Sequence, residues 1–99
     1  EILKKKDIFA LTVNGDSMID ACIANGDMVL MEPIVDSYSL RNGTIVSAMV
    51  PGLGTPLKYF VKRGGKIFLE AANVAYEPIV LNPDKVVFQG KLLAVWRKI

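Results

Sequence analysis

The sequence predicts an all-β or mostly β domain. Its apolar segments are short and closely spaced, and Gly, Pro and Asn turn signals separate them. No 3.6-residue period is sustained anywhere. The 99 residues fit one domain, read here as spanning residues 1–99. An apolar fraction of 52% and a mean hydropathy of +0.35 are high for so short a chain. They predict a core plus an apolar surface that a partner covers.

Ile8 to Val13 is rich in β-formers and reads as the first strand. Ser17 to Cys22 has room for a single helical turn. Asn25-Gly26-Asp27 is a turn signal, and Met28 to Met31 is a short buried strand closed by Glu32-Pro33. Arg41-Asn42-Gly43 turns into a strand over Thr44–Val50. Pro51 to Pro56 is a loop, because proline cannot donate to a ladder. Leu57–Val61 and Ile67–Ala71 make a hairpin across Gly64-Gly65. Pro78–Leu81 is short and edge-like. Val86–Gln89 and Leu92–Trp96 follow, separated by Gly90-Lys91. The last segment is apolar on both alternating faces, with Leu92, Ala94 and Trp96 on one and Leu93 and Val95 on the other. Such a strand is either central in a sheet or covered by a second molecule.

The charge pattern points away from several classes. Net charge is +2, and the only basic run is Lys4-Lys5-Lys6, which reads as a solvated segment rather than a nucleic-acid surface. No stretch reaches the ~18 apolar residues of a membrane span. The first residues have the wrong order for a signal peptide, so the expected location is the cytoplasm. A single cysteine, Cys22, forms no internal disulfide and reads as a small buried thiol. No cofactor or metal is expected. There is no phosphate loop, dinucleotide fingerprint or calcium loop. With one cysteine and no histidine, zinc would lack N/S ligands.

One stretch carries chemistry. Val13-Asn14-Gly15-Asp16-Ser17-Met18 puts a serine after a Gly-Asp turn at the end of an apolar strand. A strand feeding a tight turn can present a hydroxyl and backbone N–H groups at one spot, as nucleophilic catalysis requires. The same serine also suits an ordinary turn or cap. The absence of histidine excludes a Ser-His-Asp triad. A lysine base must then be neutral near pH 7, which needs about 4 kcal/mol of bias against its charged form. Burial against apolar walls supplies a bias of that order. Lys58, inside Leu57-Lys58-Tyr59-Phe60-Val61, is the lysine with apolar neighbours on both sides. Alternation puts it on the face of Phe60. The competing assignment is an edge lysine whose stem packs and whose amine reaches water.

The chain resembles the LexA-type self-cleaving repressors and their relatives. Val13-Asn14-Gly15-Asp16-Ser17-Met18 is similar to their Val-x-Gly-x-Ser-Met motif, and Asn25-Gly26-Asp27-Met28-Val29 to the Gly-Asp segment that follows it. Arg41-Asn42-Gly43-Thr44-Ile45-Val46, Leu57-Lys58-Tyr59-Phe60, Glu77-Pro78-Ile79-Val80 and Gly90 to Val95 resemble later segments in the same order. The resemblance implies a compact domain of short, strongly twisted antiparallel strands and hairpins. It also implies a serine peptidase with a Ser-Lys dyad: Ser17 the nucleophile, Lys58 the general base. Backbone N–H groups of Asp16 and Ser17 would form the oxyanion hole, and Met18 would shape the pocket. A homodimer is expected, with Leu93, Val95 and Trp96 at its interface. The family cuts its own chain at an Ala-Gly bond upstream of the catalytic domain. The RecA filament on single-stranded DNA stimulates the cut, which relieves repression of DNA-damage (SOS) genes.

No Ala-Gly bond and no helix-turn-helix segment occur in these residues. The expectation is therefore that the DNA-binding domain and cleavage segment are absent, with operator DNA bound only through that missing domain. A self-processed subunit of a translesion polymerase uses the same chemistry and is one alternative. A non-catalytic dimerisation or RecA-docking module is another. Bacterial signal peptidase has a similar dyad but carries a membrane anchor and a proline soon after its Ser-Met, where this chain has Ile19-Asp20.

Overall fold

A computed structural model describes residues 7–97; the Lys4–Lys6 cluster lies outside them. The described residues form one antiparallel sheet from β1 (Phe9–Thr12), β2 (Met28–Pro33), β3 (Ile45–Met49), β4 (Leu57–Arg63), β5 (Lys66–Glu70), β6 (Ile79–Leu81) and β7 (Val87–Trp96). The order across the sheet is β1-β2-β7-β3-β4-β5-β6, so the last strand inserts between the second and third. The mostly β expectation holds. A single 3₁₀ turn at Ile19–Ala21 stands where the helical turn was expected. Gly64 and Gly65, at φ +59° and +77°, make the predicted two-residue hairpin with Arg63 opposite Lys66. Positive φ at both central residues matches the right-handed twist of the flanking strands, and glycine adopts it without strain.

The C-terminal segments differ from the sequence expectation. They are one continuous ten-residue strand, not two. Gly90 does not break it, because each side of β7 absorbs one extra residue. Leu93 has no partner in β2, and Gln89 has none in β3. These bulges let β7 bend and change partners along its length. Gly90 itself pairs with both Pro33 and Ser47. A Cβ there would lie 2.7 Å from Cζ of Phe9 and 3.0 Å from the backbone oxygen of Glu32. The missing side chain is what lets Phe9 close over the strand.

Two apolar clusters hold the sheet. One joins Val46, Ala48 and Val50 to Phe60, Ile67 and Leu69. The other joins Val13, Met18, Ile23, Val29, Met31 and Ala72. Strands β3 and β4 feed both by alternation: Val46 and Phe60 enter the first, while Ile45, Leu57 and Tyr59 pack against the second.

Gly90→Ala is expected to lower stability by about 1–3 kcal/mol, the usual range for forcing atoms into a filled site. Urea unfolding measures it. The loss should shrink when Phe9 is also changed to leucine, and an unshifted midpoint would refute the tight contact.

Candidate active site

Ser17 sits on a fifteen-residue excursion between β1 and β2. The excursion is closed at its base by two backbone bonds, Val13 N–H to Asp27 O at 2.8 Å and Gly26 N–H to Val13 O at 2.8 Å. Gly15 turns the chain at φ +90°, and its N–H donates to Asn25 Oδ1 at 2.7 Å. Beyond it, the backbone N–H groups of Asp16, Ser17 and Met18 have no protein acceptor among the described residues. Consecutive free donors at a turn are what a developing oxyanion requires. Met18 is buried in the second cluster, and its carbonyl accepts from Ala21 and Ile23 N–H, so it anchors the excursion from below.

Lys58 is 6% exposed, in the middle of the alternating buried and half-buried residues of β4. Burial holds its amine below the ordinary lysine value. The edge-lysine alternative, with the amine in water, is therefore set aside. The amine lies 5.0 Å from the centroid of the Tyr76 ring. The Tyr76 hydroxyl donates to Asp16 Oδ1 at 2.6 Å. That bond, then the charge of Asp16, raises the Tyr76 phenol above its usual value. Asn73 Nδ2 donates to the Asp16 carbonyl at 2.9 Å, and the Asp20 N–H donates to the Ala72 carbonyl at 2.8 Å. The loop after β5 is thus fastened to the serine turn at three points.

A cleft of about 370 Å³ opens beside this junction. Ser17, Met18, Leu11, Val13, Val29 and Leu57 are among its walls. Ser17 and the immediate neighbour of Lys58 therefore line one cavity. Among the described residues no hydrogen bond joins Ser17 Oγ to Lys58 Nζ; the two elements meet through Tyr76, Asp16 and the cleft wall. A larger groove of about 520 Å³ lies between Val35, Tyr38 and Phe88, and its lysine is the exposed Lys62. Size alone does not mark the site.

A further anchor escaped the sequence reading. Asp27 is 3% exposed and is gripped by Arg97 through Nε at 2.8 Å and Nη2 at 2.7 Å. Its Oδ2 also accepts from the Ala24 N–H at 2.8 Å. The Arg97 bond, then the Ala24 bond, outweigh burial and hold its carboxyl at about 2. Arg97 Nη2 reaches the Cys22 carbonyl as well, at 3.0 Å. One guanidinium thereby ties the end of β7 to both ends of the turn after Ser17. A buried acid inside a Gly-Asp turn signal was the available clue, but nothing in the sequence paired it with an arginine 70 residues away.

One reading needs correction. Cys22 is exposed, not buried. It ends the 3₁₀ turn with φ +63°, and the inward positions go instead to Met18 and Ile23, joined by Ile23 N–H to Met18 O.

An antiparallel β domain with a serine on a donor-rich turn and a buried lysine beside its cleft has the makings of a serine hydrolase site. The family model described as Peptidase S24-like matches residues 1–93, and the chain belongs to that family of serine peptidases. Among the described residues, no helix is long and apolar enough to cross a membrane.

Lys58→Met is expected to raise the thermal midpoint at neutral pH, because a buried ammonium is costly. The sign follows from linkage. A lysine titrating low in the folded state opposes folding below its folded value, and the penalty fades as pH rises toward the ordinary 10.5. The advantage of the variant should shrink over that interval, as followed by calorimetry against pH. Asp27 works at the other end. Its contribution is full above 3.8 and disappears as pH falls toward about 2. Arg97→Ala should therefore weaken the neutral-pH fold and flatten its acid transition in that window.

Proposed function

We propose that this chain is the catalytic and dimerising domain of a LexA-type repressor, cutting its own polypeptide with a Ser17–Lys58 dyad under stimulation by the RecA filament. In this reading Ser17 Oγ attacks the scissile carbonyl and Lys58, in the neutral form that burial favours, takes the hydroxyl proton. The N–H groups of Asp16 and Ser17 receive the carbonyl oxygen as it gains charge. Lys58 then returns the proton to the leaving amine, freeing one product and leaving an acyl-serine. Water attacks that ester with the lysine again as base, restoring Ser17.

The observation that carries this is the buried amine on the strand that also walls the serine cleft. An exposed lysine would stay charged at neutral pH and could not act as a base. Family membership supports the peptidase chemistry. The ordered resemblances from Val13 to Val95 support the self-cleaving chemistry that the repressors share with their relatives.

The dimer belongs to the same proposal. From Leu92 onward, β7 pairs with β2 alone among the described residues, leaving its other edge without a strand. Val95 and Trp96 are 40% and 58% exposed there, and Leu93 is half-buried. Apolar side chains on an open edge suit pairing with a second copy about a two-fold axis.

A peptide carrying an Ala-Gly cleavage segment, supplied in trans, tests the chemistry. Hydrolysis should rise with pH and level off once the Lys58 amine is neutral. Ser17→Ala and Lys58→Ala should each lose roughly 10³-fold or more while remaining folded. Equal cleavage by all three proteins would refute the dyad. Trp96→Asp should lower the sedimentation coefficient toward that of a monomer, and an unchanged profile would remove this edge from the interface.

A further inference from the structure

We propose that Tyr76 is a positioning residue for the Ser17–Lys58 pair: its ring shields the Lys58 amine from water while its hydroxyl holds the serine turn through Asp16. The inference rests on the dyad reading above and adds a residue that neither the motif nor the cleft singles out.

The geometry gives Tyr76 two separable contacts. Its ring centroid lies 5.0 Å from Lys58 Nζ, and its hydroxyl is 2.6 Å from Asp16 Oδ1. Asp16 immediately precedes Ser17, so a pull on its carboxylate is transmitted to the nucleophile by one peptide unit. Asn73 holds the same residue by its carbonyl, and its own Oδ1 accepts from the Ala75 N–H at 2.9 Å, which shapes the loop that carries Tyr76. Tyr76 thus meets Lys58 by its face and the residue before Ser17 by its tip.

The groups facing the amine can be named by element. The loop after β5 presents Tyr76, and the serine turn presents Asp16 through the Tyr76 hydroxyl. From β3 the opposite residue is Val46, which is apolar. Glu70 of β5 stands opposite Tyr59, whose side chain alternates to the other face. No acid in this set pairs directly with the amine. The ring acts on it in two opposed ways. Its π-face attracts the ammonium form weakly, while its bulk excludes the water that the ammonium needs. The amine is buried, and burial lowers its titration, so we take exclusion of water as the larger of the two ring effects. Removing the ring then lets water in and returns the amine toward ordinary behaviour.

The test uses Tyr76→Phe and Tyr76→Ala with two readouts. One is the Lys58 titration midpoint, followed by NMR of its ε-carbon. The other is cleavage of the supplied Ala-Gly peptide. Tyr76→Phe keeps the ring and loses the hydroxyl; its midpoint should match wild type, while kcat falls about tenfold, the size of one lost hydrogen bond to a charged group, with KM kept. Tyr76→Ala should move the midpoint upward, each unit reducing the neutral fraction at pH 7 about tenfold. Should the alanine variant not fold, Tyr76→Leu serves as the second variant and gives a smaller upward move. A wild-type rate in Tyr76→Phe would overturn the hydroxyl's role, and an unmoved midpoint in Tyr76→Ala would overturn the shielding. Absence of Ser17-dependent cleavage in the wild type would instead overturn the dyad reading, and the NMR midpoints would still decide the shielding.

Discussion

The double pairing of β7 is the constraint from which the site follows. Its first half is hydrogen-bonded to β3 and most of its length to β2, so it is the strand that joins β1-β2 to β3-β4-β5-β6. Ser17 hangs from the first group, between β1 and β2. Lys58 belongs to the second, on β4. Neither group alone contains both residues. The sheet becomes one body because a bulge on each side lets β7 satisfy two registers, and because Gly90 leaves room for Phe9 at the crossing. The polar fastenings are then secondary in scale but local in effect. Arg97, one residue past β7, reaches back to Asp27 and Cys22 and so fixes the base of the serine excursion from the strand that joins the two groups.

A buried amine is an odd thing to place in such a sheet. Every neighbour that lowers its water contact makes the ammonium form less favourable and the neutral form more available. The same burial that weakens the fold at neutral pH is therefore what gives a lysine the properties of a base. A nearby carboxylate would reverse this by favouring the charge. The Asp16 carboxylate is instead occupied by the Tyr76 hydroxyl, with the ring lying beside the amine. The Asp16 side chain is thus bonded to a phenol, and among the described residues it makes no ion pair with Lys58.

Much of the architecture was legible because it rests on local chemistry. The Gly64-Gly65 hairpin, the 3₁₀ turn after Ser17 and the alternation of Lys58 with Phe60 each follow from a few adjacent residues. The exclusion of histidine chemistry followed from composition alone. What failed depended on distant partners. Gly90 reads as a break unless Phe9 is known to fill its missing side chain. Cys22 reads as buried unless the left-handed end of its turn is known to pass the inward position to Ile23. Tyr76 and Asn73, far along the chain from Asp16, carry no pattern of their own; they acquire meaning when the loop after β5 folds onto the serine turn. Arg97 was invisible for the same reason, since a terminal arginine is ordinarily a solvated one.

The departures from ordinary folding rules are themselves informative in where they fall. Among the described residues, the buried polar or charged side chains are Asp27, Ser47 and Lys58. Lys58 is on the strand beside the serine cleft, Asp27 closes the serine excursion, and Ser47 stands opposite Leu57 of the cleft wall. The left-handed Cys22 lies on the excursion as well. Stability alone would favour apolar residues at 27 and 58, because a well-packed hydrophobic pair commonly matches or exceeds a buried ion pair and a lone buried ammonium is worse than either. None of the three side chains lines the serine cleft or the larger groove itself; they stand on the elements around them. Local rules give way where a site must be held in an otherwise unfavourable state, and the place of these groups on the strand and turn that build the serine cleft agrees with the proposed Ser17–Lys58 pair.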